Sequence, residues 1–480
     1  MAILEHLEPK SVFRFFEELC AIPHGSGNTR QVSDWLMDFA RQRGLEAHQD
    51  ALGNVVIIRE ATPGYESAGA VIVQGHMDMV CEQAPDCTKD MAAEGLDLAV
   101  EGDTVYARGT TLGGDDGIAV AMALALLDAD DIPHPRLEAV ITVDEETGML
   151  GAVGMEDVSM LKGRRMLNID SEVEGVFTVS CAGGNMTCCT LPVTRAPFGA
   201  ETLAITVGGL RGGHSGIEIH KGLGNACTIL GRVLTACAKA TPLRVTAVSG
   251  GLKANAIPRE ATALVSVDDY REIRAVCDRL DEALKNEFRA TDPEVFVSVR
   301  AVEPSGTPMD EASTRRLLAL LTCAPNGIQV MSAEIDGLVQ TSLNLGILAT
   351  EDTAVTAMFC VRSSVESQKQ MLVERLECLL AALGGSVEVS GDYTGWEYRP
   401  DSPLRELMVE VFTEQYGHAP TVEAIHAGVE CGIFAGKLPG LDCISFGPDL
   451  TEIHTCRERM HITSVQRTWA LVLEVLKRMK

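Results

Sequence analysis

Residues 71–78 read VIVQGHMD, an apolar run that breaks on a histidine and an aspartate. The same construction returns at 139–148, AVITVDEETG, and at 166–170, MLNID. Short runs rich in Val and Ile and bounded by polar residues read as buried strands, and VVII at 55–58 belongs with them. Between these runs, Ile118–Leu127 is apolar on every face and predicts a buried helix. Ahead of them, Val12, Phe13, Phe16, Leu19 and Cys20 share one face of an amphipathic helix. Strands alternating with helices over about the first 185 residues imply an α/β domain, a mostly parallel sheet covered by helices on both faces. Ligands of such sheets gather beyond the carboxyl ends of the strands, and that is where the polar residues of these runs fall.

From 187 to 391 the pattern changes, and a weak internal repeat of strand, helix and strand emerges. Its first copy takes Thr202–Val207, a helix over Gly224–Ala238 and then Leu252–Asp268. The second takes Val295–Val302, a helix over Glu311–Leu321 and the segment ending at Arg362, which aligns Asn255 with Asn344. After Gly391 the α/β alternation resumes, with a helix over Ser402–Tyr416, a strand near Cys443–Phe446 and a last helix from Ser464. The reading is a host domain, 1–186 and 392–480, carrying an inserted α+β domain, 187–391, built from two βαβ-like repeats. A length of 480 residues, too great for one core, agrees.

Composition narrows the classes. At 46% hydrophobic and 22% charged, the chain is an ordinary globular protein. No apolar run reaches the roughly 18 residues of a membrane span. The amino terminus, MAILEHLEPKSVFRFFEEL, lacks the basic and apolar regions of a signal peptide, which favours the cytoplasm. Fifteen cysteines, an odd number with no CxxC spacing, read as reduced thiols rather than as a disulfide framework or thiolate site. A net charge of -28 argues against nucleic acid, whose phosphates it would repel.

Metal-ligand residue types stand at the strand ends: His76 and Asp78, Asp115 and Asp116, Glu145 and Glu146, and Asp170, with His454 arriving late. Singly, each has an ordinary explanation: a lone histidine is commonly a satisfied core or surface residue, an Asp at a strand end a helix cap, a Glu pair a solvated face. Jointly they are harder to dismiss, because packed carboxylates repel one another unless cations neutralise them. Imidazole and carboxylate donors without thiolate suit zinc, with manganese or cobalt as alternatives.

These motifs, in this order, resemble the co-catalytic zinc peptidases that include peptidase T, peptidase V and carboxypeptidase G. The longer strings IPHGSGN (22–28), GTTLGGDDGIAVA (109–121), HAGVECGIFAGK (426–437) and SFGPDLTEIHTCRERM (445–460) are similar to the family's aminoacyl-histidine dipeptidase branch. The resemblance implies a split catalytic domain with an inserted lid, and hydrolysis of dipeptides such as carnosine by water activated at two divalent metal ions. It implies that Asp115 bridges both metals, that His76 and Asp170 complete one site, and that Glu146 and His454 complete the other. Asp78 would orient the His76 ring and Glu145 would be the general base. In the insert, His214 would steady the oxyanion, Asn255 would contact substrate and Arg362 would grip the terminal carboxylate. The Ser-Ser after Arg362 departs from the usual pattern of peptidase V. Glu430, in AGVECG, would face the substrate amine. An Asp at position 170 favours substrates with a free amine. Two rivals remain: an N-acyl amino acid deacylase on the same scaffold, separable by its substrate, and a silent binding protein, which would be expected to have lost Glu145 or a ligand. The partner expected is a small dipeptide, not nucleic acid or membrane, with a homodimer left open.

Overall fold

The apolar runs form the strands expected of them. The computed structural model describes residues 3–480, and the chain divides into two units: Met1–Ser180 with Tyr398–Ala424 and Val429–Lys480, and Cys181–Glu397 with Ile425–Gly428. In the first unit an eight-stranded sheet runs in the order Glu46–Gln49, Val55–Arg59, Leu137–Thr142, Val71–His76, Arg165–Asn168, Asp442–Ser445, Val176–Cys181, Thr421–Ile425. Its four central strands are parallel. Outside them the pairing turns antiparallel, from Leu137–Thr142 to Val55–Arg59 to Glu46–Gln49 on one side and at Val176–Cys181 on the other. The link from Gln49 to Val55, turned at Gly53 (φ 103°), is too short for the crossover that a parallel partner needs.

Lys10–Cys20 is helical and buries all five residues of its expected face, together with Phe15. It packs on Gly114–Asp128, a helix buried on every side from Gly114 to Leu127, which in turn lies against Val71–His76. Gly75 permits that approach, because a Cβ there would overlap the Asp116 carboxylate and the Ala119 methyl. Full burial of side chains such as Phe13 and Phe16 contributes roughly 1.5–3 kcal/mol each. Pro403–Tyr416, capped by the Ser402 hydroxyl, and Glu430–Lys437 pack on Asp442–Ser445.

The second unit is a nine-stranded antiparallel sheet with its own core. Eight strands lie in the order Phe296–Val302, Glu201–Gly208, Ala261–Val267, Leu243–Gly250, Val339–Thr350, Ala354–Ser363, Gly183–Pro192, Ser386–Tyr393, and Gly327–Met331 adds to Val339–Thr350. The order reads as a palindrome. One half follows strand Glu201–Gly208, helix Ala226–Ala240, strands Leu243–Gly250 and Ala261–Val267, helix Tyr270–Glu287 and strand Phe296–Val302. The other follows Gly183–Pro192, helix Glu311–Cys323, Val339–Thr350, Ala354–Ser363, helix Glu366–Leu383 and Ser386–Tyr393. The expected repeat is therefore present in another frame. Its second copy opens on Gly183–Pro192, while Phe296–Val302 closes the first copy and pairs with Glu201–Gly208. Asn255 and Asn344 are not mates: Asn344 sits within a strand and donates to the carbonyls of Ala254 and Ala256, pinning the loop that carries Asn255. Where the halves meet, one register pair, Gly250 with Leu348, joins them. The Thr350 hydroxyl adds to it, accepting from Val248 N at 2.7 Å and donating to Val248 O at 2.9 Å.

Candidate active site

Residues at the carboxyl ends of the central strands of the first unit converge. The strand Val71–His76 delivers His76, whose Nε2 lies 3.2 Å from Asp115 Oδ1 and 3.4 Å from Asp170 Oδ1. Nδ1 of the same ring faces the Asp78 carbonyl at 3.0 Å and the Asp78 carboxylate at 3.5 Å, which leaves Nε2 for a ligand. The other oxygen of Asp115 stands 3.2 Å from His454 Nε2, and that nitrogen is 2.9 Å from Glu146 Oε1. Asp115 thus lies between two imidazoles, one oxygen toward each.

Local backbone prepares this arrangement. Asp115 and Asp116 take non-helical angles where the helix Gly114–Asp128 opens. His454 (φ 59°) and Asp144 (φ 53°) hold the left-handed region, which costs non-glycine residues about 1–3 kcal/mol and recurs at functional sites. The Asp144 carboxylate accepts from Gly27 N at 2.6 Å, and that of Asp78 from Ser26 Oγ at 2.8 Å and Glu145 N at 3.0 Å. IPHGSGN and DEETG are thereby tied together.

The site carries more acid than its bases can balance. Burial raises Asp116, Asp170, Glu145, Glu172 and Glu430 above the ordinary carboxylate range, and neighbouring carboxylates add to it. Glu145 is pushed up to about 9, Glu172 and Glu430 to about 7. Asp115 moves the other way: burial opposes its charge, but hydrogen bonds from His454 and His76 hold it well below the usual value. His454, bonded to Asp115 and Glu146, rises to about 10. Ligand atoms of His76, Asp115 and Glu146 lie within 4.8 Å of one another, as do those of His76, Asp116 and Asp170. Two imidazoles and clustered carboxylates, starved of positive charge, fit a pair of divalent cations.

Beneath this layer runs a second polar layer. Asn168 Nδ2 donates to Gln74 Oε1 at 2.5 Å, Gln74 Nε2 to Glu430 Oε2 at 2.5 Å, and Thr142 Oγ1 to the same oxygen at 2.7 Å. Gln74, Thr142 and Asn168 each precede a site residue by two or three positions. Glu430, fully buried on the first turn of its helix, keeps Oε1 unpartnered.

His214, Asn255 and Arg362 belong to the second unit. His214 pairs with Ala256 across a two-residue ladder, and Asn255 O accepts from Ser215 N at 2.9 Å. Both residues line a cleft of about 900 Å³. His214 Nδ1 accepts from Gly216 N and Ile217 N, each at 3.2 Å, so its ring proton resides on Nε2. Burial and the Arg362 charge lower the basicity of this ring, which stays neutral and offers an N–H donor. Arg362 is 6% exposed, touches Tyr393 Oη at 3.3 Å and has an unpartnered Nε. Among the described residues no carboxylate pairs with this buried guanidinium, which is therefore suited to receive an anion. His426, the first residue of the string at 426–437, bonds Ser342 Oγ at 2.7 Å and is driven to about 3 by burial, Arg362 and His214.

The family model described as Peptidase family M20/M25/M40 matches residues 72–478. The chain is 36% identical over 481 residues to the cytosol non-specific dipeptidase of Escherichia coli (strain K12), with 99% of each covered. The crystal structure of aminoacylhistidine dipeptidase from Vibrio alginolyticus matches with a TM-score of 0.93 at 36% identity, covering 99% of this chain and 97% of that one. Aminopeptidase PepT from Bacillus cereus ATCC 10987 shares the fold at 16% identity and a TM-score of 0.56, with 98% and 99% covered.

Proposed function

The chain belongs to peptidase family M20/M25/M40, and from that premise we propose that it is a metal-dependent dipeptidase working at the strand-end cluster of the first unit. The observation that carries the reading is Asp115, one carboxylate oxygen toward His76 and the other toward His454. In this proposal His76 and Asp170 hold one metal, Glu146 and His454 the other, and Asp115 both. Zinc is the metal we assign, since the donors include imidazoles and no thiolate. When bound, the pair polarises the scissile carbonyl and acidifies the attacking water.

The remaining chemistry falls to side chains. Glu145 takes the proton from water on its carboxylate and passes it to the departing amine. Asp78 fixes the His76 ring from behind and steadies the turn that bears Glu145. His214 donates its Nε2 proton to the developing oxyanion, where a preorganised donor has most effect. Arg362 takes the peptide's terminal carboxylate as a two-pronged donor, and Asn255 contacts the substrate backbone. We assign the first unit as the catalytic domain and the second as its lid, in the cytoplasm that the name of the Escherichia coli relative gives for that protein.

The deacylase reading is not favoured, because the two relatives that are 36% identical over the full chain are named dipeptidases. The silent-protein reading would require a lost ligand or base, and none is missing. A panel of free, N-acetylated and C-amidated dipeptides, assayed with zinc, manganese and cobalt, tests the proposal. Free dipeptides should be the best substrates; faster turnover of the acetylated series would transfer the chain to the deacylases.

A further inference from the structure

Behind Asp115 the turn Leu112–Asp115 points four consecutive backbone N–H groups at one spot. Gly113 (φ 67°) supplies the left-handed step that curls them together, the kind of concavity that binds anions. The Glu458 carboxylate fills it. Oε2 accepts from Leu112 N at 2.7 Å and Gly113 N at 3.1 Å, and Oε1 accepts from Gly114 N at 2.8 Å and Asp115 N at 3.4 Å. Glu458 is 3% exposed, so its charge was taken out of water to do this. Gly114 leaves space for it, since a Cβ there would come within 3.2 Å of Oε1.

Glu458 also belongs to the turn that presents His454. Glu458 N donates to Thr455 O at 3.1 Å, and the Thr455 hydroxyl donates to Glu452 O at 2.7 Å. A closed circuit follows: His454 through its turn to Glu458, across four N–H bonds to the backbone of Asp115, and from the Asp115 carboxylate back to His454 Nε2 at 3.2 Å. Two ligand-bearing turns far apart in sequence are fastened to each other before any cation arrives.

We propose that Glu458 is a positioning residue for the metal pair, the anion that locks the Asp115 turn to the His454 turn. The proposal rests on Asp115 and His454 being ligands. A carboxylate is required because both its oxygens accept. Glutamine offers one oxygen and turns an NH₂ group against two of the four donors, leaving them buried and unsatisfied. The ligands themselves would be untouched, so the loss should fall on metal affinity.

The test is competitive chelator titration of Glu458→Gln and wild type with zinc, beside the visible absorption of the cobalt-loaded proteins. Outer partners of metal ligands typically contribute 10–100-fold in affinity. We expect Glu458→Gln to bind its second metal 10–100-fold more weakly, to show an altered cobalt band, and to regain most of its kcat in excess metal with KM for dipeptide little changed. Wild-type affinity for both metals would overturn the proposal. So would full occupancy with kcat still depressed, which would place Glu458 in the chemistry instead. Should Glu458→Gln fail to fold, Glu458→Asp, which keeps the charge but retracts it by one methylene, is read in the same titration against the same two outcomes. Asp115→Ala in parallel separates the premise: if that variant keeps both metals, the ligand assignment has failed and not the role of Glu458.

Discussion

Glu145 and Glu146 are neighbours in the chain with different surroundings. Glu146 faces His454 at 2.9 Å, whereas Glu145 is pushed up to about 9 by burial and by nearby Asp170, Glu430 and Glu146. With Glu145 assigned as the base and Glu146 as the ligand, Glu145→Gln is expected to keep two metals by elemental analysis while kcat falls roughly 10²–10⁴-fold, the usual contribution of a positioned base. Asp115→Ala should lose both metals, since each site depends on one of its oxygens. His214→Ala should lower kcat about 10²–10³-fold with metal content intact, as removal of an oxyanion donor does. Arg362→Ala should erase the preference for free dipeptides over their amides, and an unchanged ratio would remove Arg362 from the carboxylate. His76, Asp115, Glu145, Glu146 and Asp170 are legible in the sequence because each follows an apolar run or a Gly-Gly turn, a pattern confined to a few residues. Glu458 is not, although it lies within the quoted string at 445–460, because its four partners are more than 340 positions away. Gln74 and Asn168 read as strand interior, and only the fold shows that they underlie the site.

Helix pairing in the first unit offers a test at the level of elements. Glu174 accepts from Tyr416 Oη at 2.5 Å and Arg467 Nε at 2.7 Å, with Arg467 Nη2 on its other oxygen, joining the helices Pro403–Tyr416 and Ile462–Arg478. Burial alone would raise its pKa, but the bonds from Arg467, Tyr416 and Ser464 outweigh burial and hold the carboxyl low. A depressed carboxyl stabilises the fold above its unfolded pKa of about 4.3, and the contribution disappears as pH falls through the folded value. Glu174→Gln should cost about 1 kcal/mol at pH 7, a figure discounted for the solvent around Arg467, and little once pH has fallen through the folded value. Urea denaturation across that range checks it; an equal deficit at both ends would mean that the charge is not the cause. Hydrophobic period places Lys10–Cys20, Gly114–Asp128 and the parallel strands to within a few residues. It misses Glu46–Gln49 and Thr421–Ile425, whose half-exposed or exposed residues carry no apolar run. The frame of the repeat is hidden for a related reason: Gly183–Pro192 precedes its own helix by over a hundred residues, so the mate of Glu201–Gly208 is far from where a linear comparison looks.

Each of the two units carries a large hydrophobic core of its own, and every proposed metal ligand lies in the first unit. Calorimetry should show two transitions rather than one. At free metal about a thousandfold above the dissociation constant, binding adds roughly 4 kcal/mol, so chelation should lower the first unit's transition by on the order of 10 °C and leave the second in place. A single transition, or two that shift together, would contradict that division. The palindromic sheet has a consequence for amide exchange. Its halves share one register pair, Gly250 with Leu348, while each half is internally laddered over seven to ten pairs between most neighbouring strands. Gly251 meets Gly346 so closely there that a Cβ would strike the Gly346 carbonyl. Local opening should begin along this line, each half-sheet swinging as a leaf with its own helices. Amides along the facing edges of Leu243–Gly250 and Val339–Thr350 should trade deuterium well before those of Glu201–Gly208 or Gly183–Pro192, and Gly251→Ala should widen that gap.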